Sequence, residues 1–465
     1  MSSVLYWQWG VVLVSSALLY FVSPRVISKE SFFKGASKHL EKPGYLMLTF
    51  SLVISWIFAK SVTNVSNLGM QFGFVGGVAY ATYYLSFLVA GIVIYKIRTR
   101  THVGSLHEFL EKKFGRGAVI AFTIVVAIRL LNEIWSNTEV IGSYFGKTGS
   151  PQYIASIVVF TGLTLAYTLK GGFRTSLLTD LIQMGLFSVL LFIVLSLIIP
   201  TRGGSLVPFV NTGSWTMAGG VDLILVALIQ IFSYPFHDPI LTDRGFLTDP
   251  RTTLRSYISA TVISSIIILL FSFVGIYGAF LGLKGQAAVE VSKSFGVFTL
   301  VVMNFIMVTS ASSCIDSTFS SVSKLIAVDL GRRGKITISK GRWTMVLTAI
   351  AGTIPLIFSP SILSATTISG TLVLGLAPVF ILWKIPAPKI SFHLALWTGV
   401  AAAAILVFGL LPRSLYIGNG SFANLLGANA YATIIIFILY FVPFLFKRKE
   451  GIISVAKSES MAGVK

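Results

Sequence analysis

Apolar runs of roughly 20 residues recur along almost the whole chain, and each is long enough to cross the hydrocarbon layer of a bilayer as a helix. Thirteen such segments are read, at about 4–22, 44–65, 71–95, 117–141, 152–169, 178–199, 221–240, 256–283, 295–325, 343–359, 362–383, 391–411 and 429–446. Backbone polar groups in lipid must be paired within the segment, so helices are the expected form. The fold class is therefore an all-α polytopic membrane protein with about 13 transmembrane helices. Composition agrees: 55% of the 465 residues are hydrophobic and 11% are charged, against about 25% charged in soluble domains, which excludes an ordinary water-soluble enzyme. The longest polar stretches, 23–43, 98–116, 201–220 and the tail after Lys447, are too short to hold a catalytic domain with its own core. The run from Val4 to Val22 lacks a preceding basic residue and a following cleavage site, and it is expected to be a retained helix. A single cysteine, Cys314, rules out an internal disulfide and a cysteine-based zinc cluster.

The net charge of +20, from 36 Lys+Arg and 16 Asp+Glu, invites nucleic acid as a partner. Its placement argues otherwise. With the N-terminus outside, 29 of the 36 basic residues fall in loops and the tail on the cytoplasmic side; five (Lys147, Arg202, Lys284, Lys293 and Arg413) fall opposite, and Lys60 and Arg129 lie within spans. That asymmetry is a positive-inside pattern. It places the chain in the cell membrane with its N-terminus outside and the tail 447–465 in the cytoplasm, with lipid and not nucleic acid as its surroundings.

A charge inside a span costs about 2.5–3.5 kcal/mol on insertion scales, so each one is a candidate for function. The second segment carries Lys60 and then Ser61, Thr63, Asn64, Ser66 and Asn67, a polar run expected to interrupt the lipid-facing helix. In the seventh, Pro235 and Pro239 flank His237 and Asp238 and remove helical donors. Interrupted spans five apart suit a transporter of two inverted five-helix repeats with its site at the breaks. The plainer alternative is a kink with Lys60 snorkelling to the surface. In the fourth segment Arg129 and Glu133 stand four apart, either as a buried pair joining helices or as solute contacts. The ninth is rich in hydroxyls, among them Ser310, Ser312, Ser313 and Ser317 around Asp316; these suit close helix packing or an alkali-cation site.

Three stretches resemble the sodium/solute symporters, the family of sodium/proline and sodium/galactose transporters: KGGFRTSLLTDLIQ (Lys170–Gln183), SSCIDS (Ser312–Ser317) and FHDPILTDRGFLTDP (Phe236–Pro250). The resemblance implies a leucine-transporter-type core: an extra helix at 4–22, repeat 1 at 44–199, repeat 2 at 221–383 and two further helices within 391–446. It implies a sodium site formed by carbonyls of Ile54, Ile57 and Ser310 with the Ser313 hydroxyl, the fifth ligand falling on Cys314, a soft partner for a hard ion. Asp180 and Asp316 would line the ion pathway, and Lys60, Ser61, His237 and Asp238 would touch the solute. Lys60 departs from the family pattern; it would pair with a solute carboxylate or stand in for the sodium ion. The function implied is sodium-coupled symport of a small polar organic solute such as an amino acid, carboxylate or sugar, with Na+ as coupling ion and no organic cofactor. Proton coupling, uncoupled transport and a transport-inactive sensor remain alternatives. The chain has no phosphate-binding Gly-rich Lys-Ser/Thr loop, no His-Glu-x-x-His cluster and no Gly-x-Ser-x-Gly elbow, so neither ATP coupling nor an enzyme is expected. Nothing in the sequence sets an oligomeric state.

Overall fold

The computed structural model describes residues 2–37, 39, 41–330, 336–358 and 369–462. Among the described residues the regular structure is entirely helical, and nine helices are long and apolar enough to span a membrane. These are Val4–Val22, Phe74–Thr101, Arg116–Phe145, Pro151–Gly171, Phe173–Arg202, Pro250–Phe280, Val297–Asp329, Lys389–Val407 and Ala423–Phe446. They correspond to the first, third to sixth, eighth, ninth, twelfth and thirteenth expected segments. The protein is a multi-pass membrane protein. The fourth span shows how the bilayer selects its faces: Ile120, Ile124 and Ile128, at helical spacing, are about half exposed, whereas Arg129 and Glu133 are buried. An apolar face turned outward and a charged face turned inward is the reverse of a soluble helix.

The remaining four segments are broken or short. The second consists of Tyr45–Trp56 and Ala59–Phe72, bent by 60°. The break falls at Ile57 and Phe58, where Phe58 is extended, rather than in the polar run. That run is helical throughout, and Lys60 to Ser66 are all buried. Protein rather than lipid surrounds these polar side chains, so they have no reason to unwind the helix. The seventh runs Val221–Gln230, a 3-10 turn at Tyr234–His237 and a short helix Pro239–Arg244. It opens at Ile231, one turn before Pro235, and the Asp238 side chain caps the short helix by accepting from the Ile240 N–H at 3.0 Å. The tenth is Ile338–Thr353. The eleventh includes Leu376–Ile381, and its expected beginning at 362–368 lies outside the described residues.

Ala59–Phe72 crosses the eighth span at close range. Gly275 makes this possible, because a Cβ there would overlap the Ser66 carbonyl oxygen. Replacing Gly275 with valine is expected to destabilise the protein by about 1–3 kcal/mol through overpacking. Thermal unfolding in detergent checks this against Gly10→Val, where nothing lies within 4 Å of the added Cβ; equal melting temperatures for the two variants would contradict it.

Candidate functional site

Both helix breaks meet at a chain of four alternating charges. The Lys60 ammonium, two residues past Phe58, donates to Glu133 Oε1 at 2.6 Å and to Ser136 Oγ at 3.1 Å. Arg129 pairs with the same Glu133 oxygen, and its Nη2 donates to Asp238 Oδ2 at 2.8 Å. Trp56, at the end of the first half of the second span, donates its indole N–H to that Asp238 oxygen at 2.8 Å. Break one and break two are thus tied directly through Trp56 and indirectly through the fourth span. The four charged side chains are at most 1% exposed. The guanidinium of Arg129 lies over the rings of Phe58 and Tyr234, at 5.5 and 5.3 Å. A buried charge is tolerable only when paired and hydrogen-bonded. Here each acid has further donors: Asn137 at 3.1 Å and the Cys314 thiol at 3.3 Å on Glu133 Oε2, and the Ile240 N–H on Asp238.

A broken helix leaves backbone carbonyls without their usual partners. Tyr84 donates its hydroxyl to the Trp56 carbonyl at 3.0 Å, and the Ser310 hydroxyl donates to the carbonyl of Ile57. Of the five positions implied as sodium ligands, Ile57 and Ser310 are therefore in contact, and Ile54 is buried nearby in the same half-helix. The Ser313 hydroxyl donates to Asp180 Oδ1. Cys314 Sγ lies 3.3 Å from both Glu133 and Asn137, which places the fifth position beside the carboxylate that holds Lys60.

The other expected residues separate into groups. Ser61 meets the Tyr80 hydroxyl at 3.1 Å. His237 bonds the Tyr234 carbonyl through Nδ1 and Ser369 through Nε2 at 3.2 Å, and it makes no hydrogen bond to the charged chain. Asp180 accepts from Ser51 at 2.5 Å and pairs with Arg244 at 2.9 Å; the guanidinium also donates to Ser317 at 2.8 Å. Asp316 accepts from Tyr167 and Thr179, both at 2.9 Å, and among the described residues it has no basic partner. Among the described residues no group of three or more His, Cys, Asp or Glu could hold a metal ion.

A second ionic cluster closes the end of the molecule that carries the basic loops. Asp243 and Arg244 are consecutive on the short helix Pro239–Arg244 and pair in opposite directions. Asp243 takes Lys324 of the ninth span at 2.5 Å, and Arg244 takes Asp180 of the sixth. Lys324 also reaches Asp329 at 3.4 Å. His107, on the loop helix Leu106–Phe114, stands 4.0 Å from Asp329. Burial first, and then the Lys324 charge, pushes the imidazole down to about 4, so it is neutral at physiological pH. Arg98 secures the following turn by donating to the Gly245 and Thr248 carbonyls, each at 2.6 Å. The sequence alone did not single out Asp243, Arg244 or Lys324, because their pairing is set by tertiary contact. The i, i+4 spacing of Arg129 and Glu133 was legible, but their link to Lys60 and Asp238 was not.

No family model matches the chain. It is 27% identical over 151 residues to a putative sodium-dependent multivitamin transporter of Drosophila melanogaster, covering 32% of this chain and 24% of that protein. It is 24% identical over 177 residues to the urea active transporter of Saccharomyces cerevisiae (strain ATCC 204508 / S288c), covering 37% and 23%. The aligned region thus spans about a quarter of the length of these relatives. Among solved structures, a Na+-coupled sialic acid symporter in its substrate-bound outward-open state superposes with a TM-score of 0.70 at 15% identity, covering 94% of this chain and 97% of that one. Mhp1, a nucleobase-cation-symport-1 family transporter, gives 0.56 at 14% identity over 88% and 95%, and MhsT in complex with L-phenylalanine gives 0.54 at 15% identity over 85% and 98%. All of these are transporters, and none is an enzyme. The chain has the leucine-transporter-type helical fold that these solved transporters share, and its likeness in sequence, over about a third of its length, is to a putative sodium-dependent multivitamin transporter and a urea active transporter.

Proposed function

We propose that the protein is a secondary transporter that moves a small polar organic solute across the cell membrane by alternating access. The repeats are taken as 44–199 and 221–383, with the N-terminus outside and the tail 447–465 in the cytoplasm. The observation that carries this reading is the junction of two broken spans, five apart, through Trp56, Arg129 and Asp238. Irregular backbone at membrane depth is retained where it serves a binding site or a pathway. The solute would contact the breaks through Lys60, Ser61, His237 and Asp238, with Trp56 and Tyr80 beside them. Asp180 and Asp316 would line the route of an accompanying ion toward the cytoplasm. The membrane potential would contribute about 2.3 kcal/mol per charge per 100 mV to any net movement of charge.

Uptake of a panel of radiolabelled amino acids, sugars, carboxylates and amides into proteoliposomes tests the proposal. Saturable accumulation above the equilibrium level is expected for one solute class, and it should be lost in Asp238→Asn. Non-saturable flux would identify a channel instead. Wild-type rates in both Lys60→Ala and Lys60→Met would remove Lys60 from the mechanism.

A further inference from the structure

The relatives of this fold include Na+-coupled symporters, and the fifth position of the sodium ligand set implied by resemblance falls on Cys314. In this protein a cation of its own, the Lys60 ammonium, is bound to the carboxylate that takes the Cys314 thiol. We propose that the Lys60 ammonium is the resident cation of the site, with Glu133 as its counter-charge, and that solute movement proceeds without bound Na+. This inference rests on the transporter reading above.

Three observations support it. First, Glu133 joins the two positions: Oε1 holds the Lys60 ammonium at 2.6 Å, and Oε2 takes the Cys314 thiol at 3.3 Å. The carboxylate nearest the fifth ligand position is therefore already bound to a cation. Second, Arg129 pairs with the same carboxylate and with Asp238. The four buried charges sum to zero, so within this chain of charges no anion is left over; Asp180 is paired with Arg244, and Asp316 is held by the Tyr167 and Thr179 hydroxyls. A sodium ion inserted beside Cys314 would face the Lys60 and Arg129 charges in a medium that screens them poorly. Third, the donor set is incomplete for a hard ion. Its fifth member is a thiol, and the Ile57 carbonyl already accepts the Ser310 hydroxyl. A tethered ammonium needs neither a ligand shell of hydroxyls nor a supply of ions, and it leaves Ser136 as an additional acceptor at 3.1 Å.

Removing the ammonium should reverse the balance. Lys60→Ala leaves Glu133, Arg129 and Asp238 with one uncompensated negative charge, and Cys314→Ser adds a hydroxyl, so the double variant acquires both the charge and the hard ligand that Na+ requires. The test is equilibrium binding of radioactive Na+ to the purified full-length protein. Wild type is expected to show no saturable binding, and Lys60→Ala/Cys314→Ser is expected to gain saturable binding, with at least tenfold more Na+ bound at the same free concentration. Lys60→Gln, which keeps a polar side chain of similar length, is a second uncharged variant in case the alanine protein does not fold. Saturable Na+ binding by wild type would overturn the inference, as would a failure of both folded variants to gain it. Solute uptake in choline against sodium buffer separates the two readings. Accumulation by wild type that requires Na+ would overturn the resident-cation inference and leave the transporter reading intact. Absence of uptake for every solute, in both buffers, would overturn the transporter reading whatever the binding result.

Discussion

Arg129→Ala is expected to cost roughly 3–5 kcal/mol of stability, because removing one member of a buried ion pair strands the partner charge. The guanidinium bridges Glu133 and Asp238 and lies over two aromatic rings, so its loss affects both helix breaks at once. Asp238 would keep Trp56 and the Ile240 N–H, and Glu133 would keep Lys60. Hydrogen bonds survive, but one positive charge is missing from a closed set of four. Arg129→Lys should recover only part of the loss, since a single ammonium lacks the fork that reaches two carboxylates. Removing the charges at both ends of the bridge, in Arg129→Met/Asp238→Asn, should cost less than the sum of the single substitutions. Thermal unfolding in detergent reports all three, and additive costs in the double variant would show that the bridge is not a unit.

The second large effect is expected at the end proposed to face the cytoplasm. In the proposed alternating access, solute can leave toward the cytoplasm only if Pro239–Arg244 separates from the sixth and ninth spans, and Asp243 and Arg244 pin it to both. Lys324→Met removes one of these pairs and leaves the other. If it lowers the opening free energy by about 1.4 kcal/mol, the open population rises about tenfold. Cys314 is a native reporter: it is the protein's one cysteine, and it is buried. Its alkylation by a membrane-impermeant maleimide from the cytoplasmic side should accelerate about tenfold in Lys324→Met and in Asp243→Asn. The exchanged pair Lys324→Asp/Asp243→Lys should label less quickly than either. Equal rates in wild type and both single variants would sink the latch. Acid should also weaken this end. The His107 pKa is lowered from 6.5 to about 4, so the open or unfolded chain takes up the proton first. Stability attributable to this group is therefore complete above about 6.5 and falls as the pH drops toward 4.

Much of this architecture was legible in the chain. Apolar length identified nine of the thirteen expected segments as spanning helices among the described residues. Two prolines around His237 and Asp238 located the second break to within a turn. The first break was displaced in the reading, because a polar run looks like an interruption only if lipid surrounds it. In the fold, Lys60 to Ser66 face protein and remain helical, whereas the unwinding occurs at Ile57 and Phe58, residues that carry no mark in the sequence. Glu133 shows the same limit. Its spacing from Arg129 declared a pair, yet the contact with Lys60 joins residues 73 positions apart.

The class of the protein, most of its helices and the few charges that had to matter follow from the residues alone, because a bilayer penalises each polar group wherever it lies along the chain. Which of those charges neutralise one another was settled by the fold. Pairing depends on distances of a few ångströms between separate spans, and local periodicity carries no information about them. Lys60 accordingly read as a cation that would pair with a solute carboxylate or stand in for the sodium ion, and folding placed Glu133 2.6 Å from it.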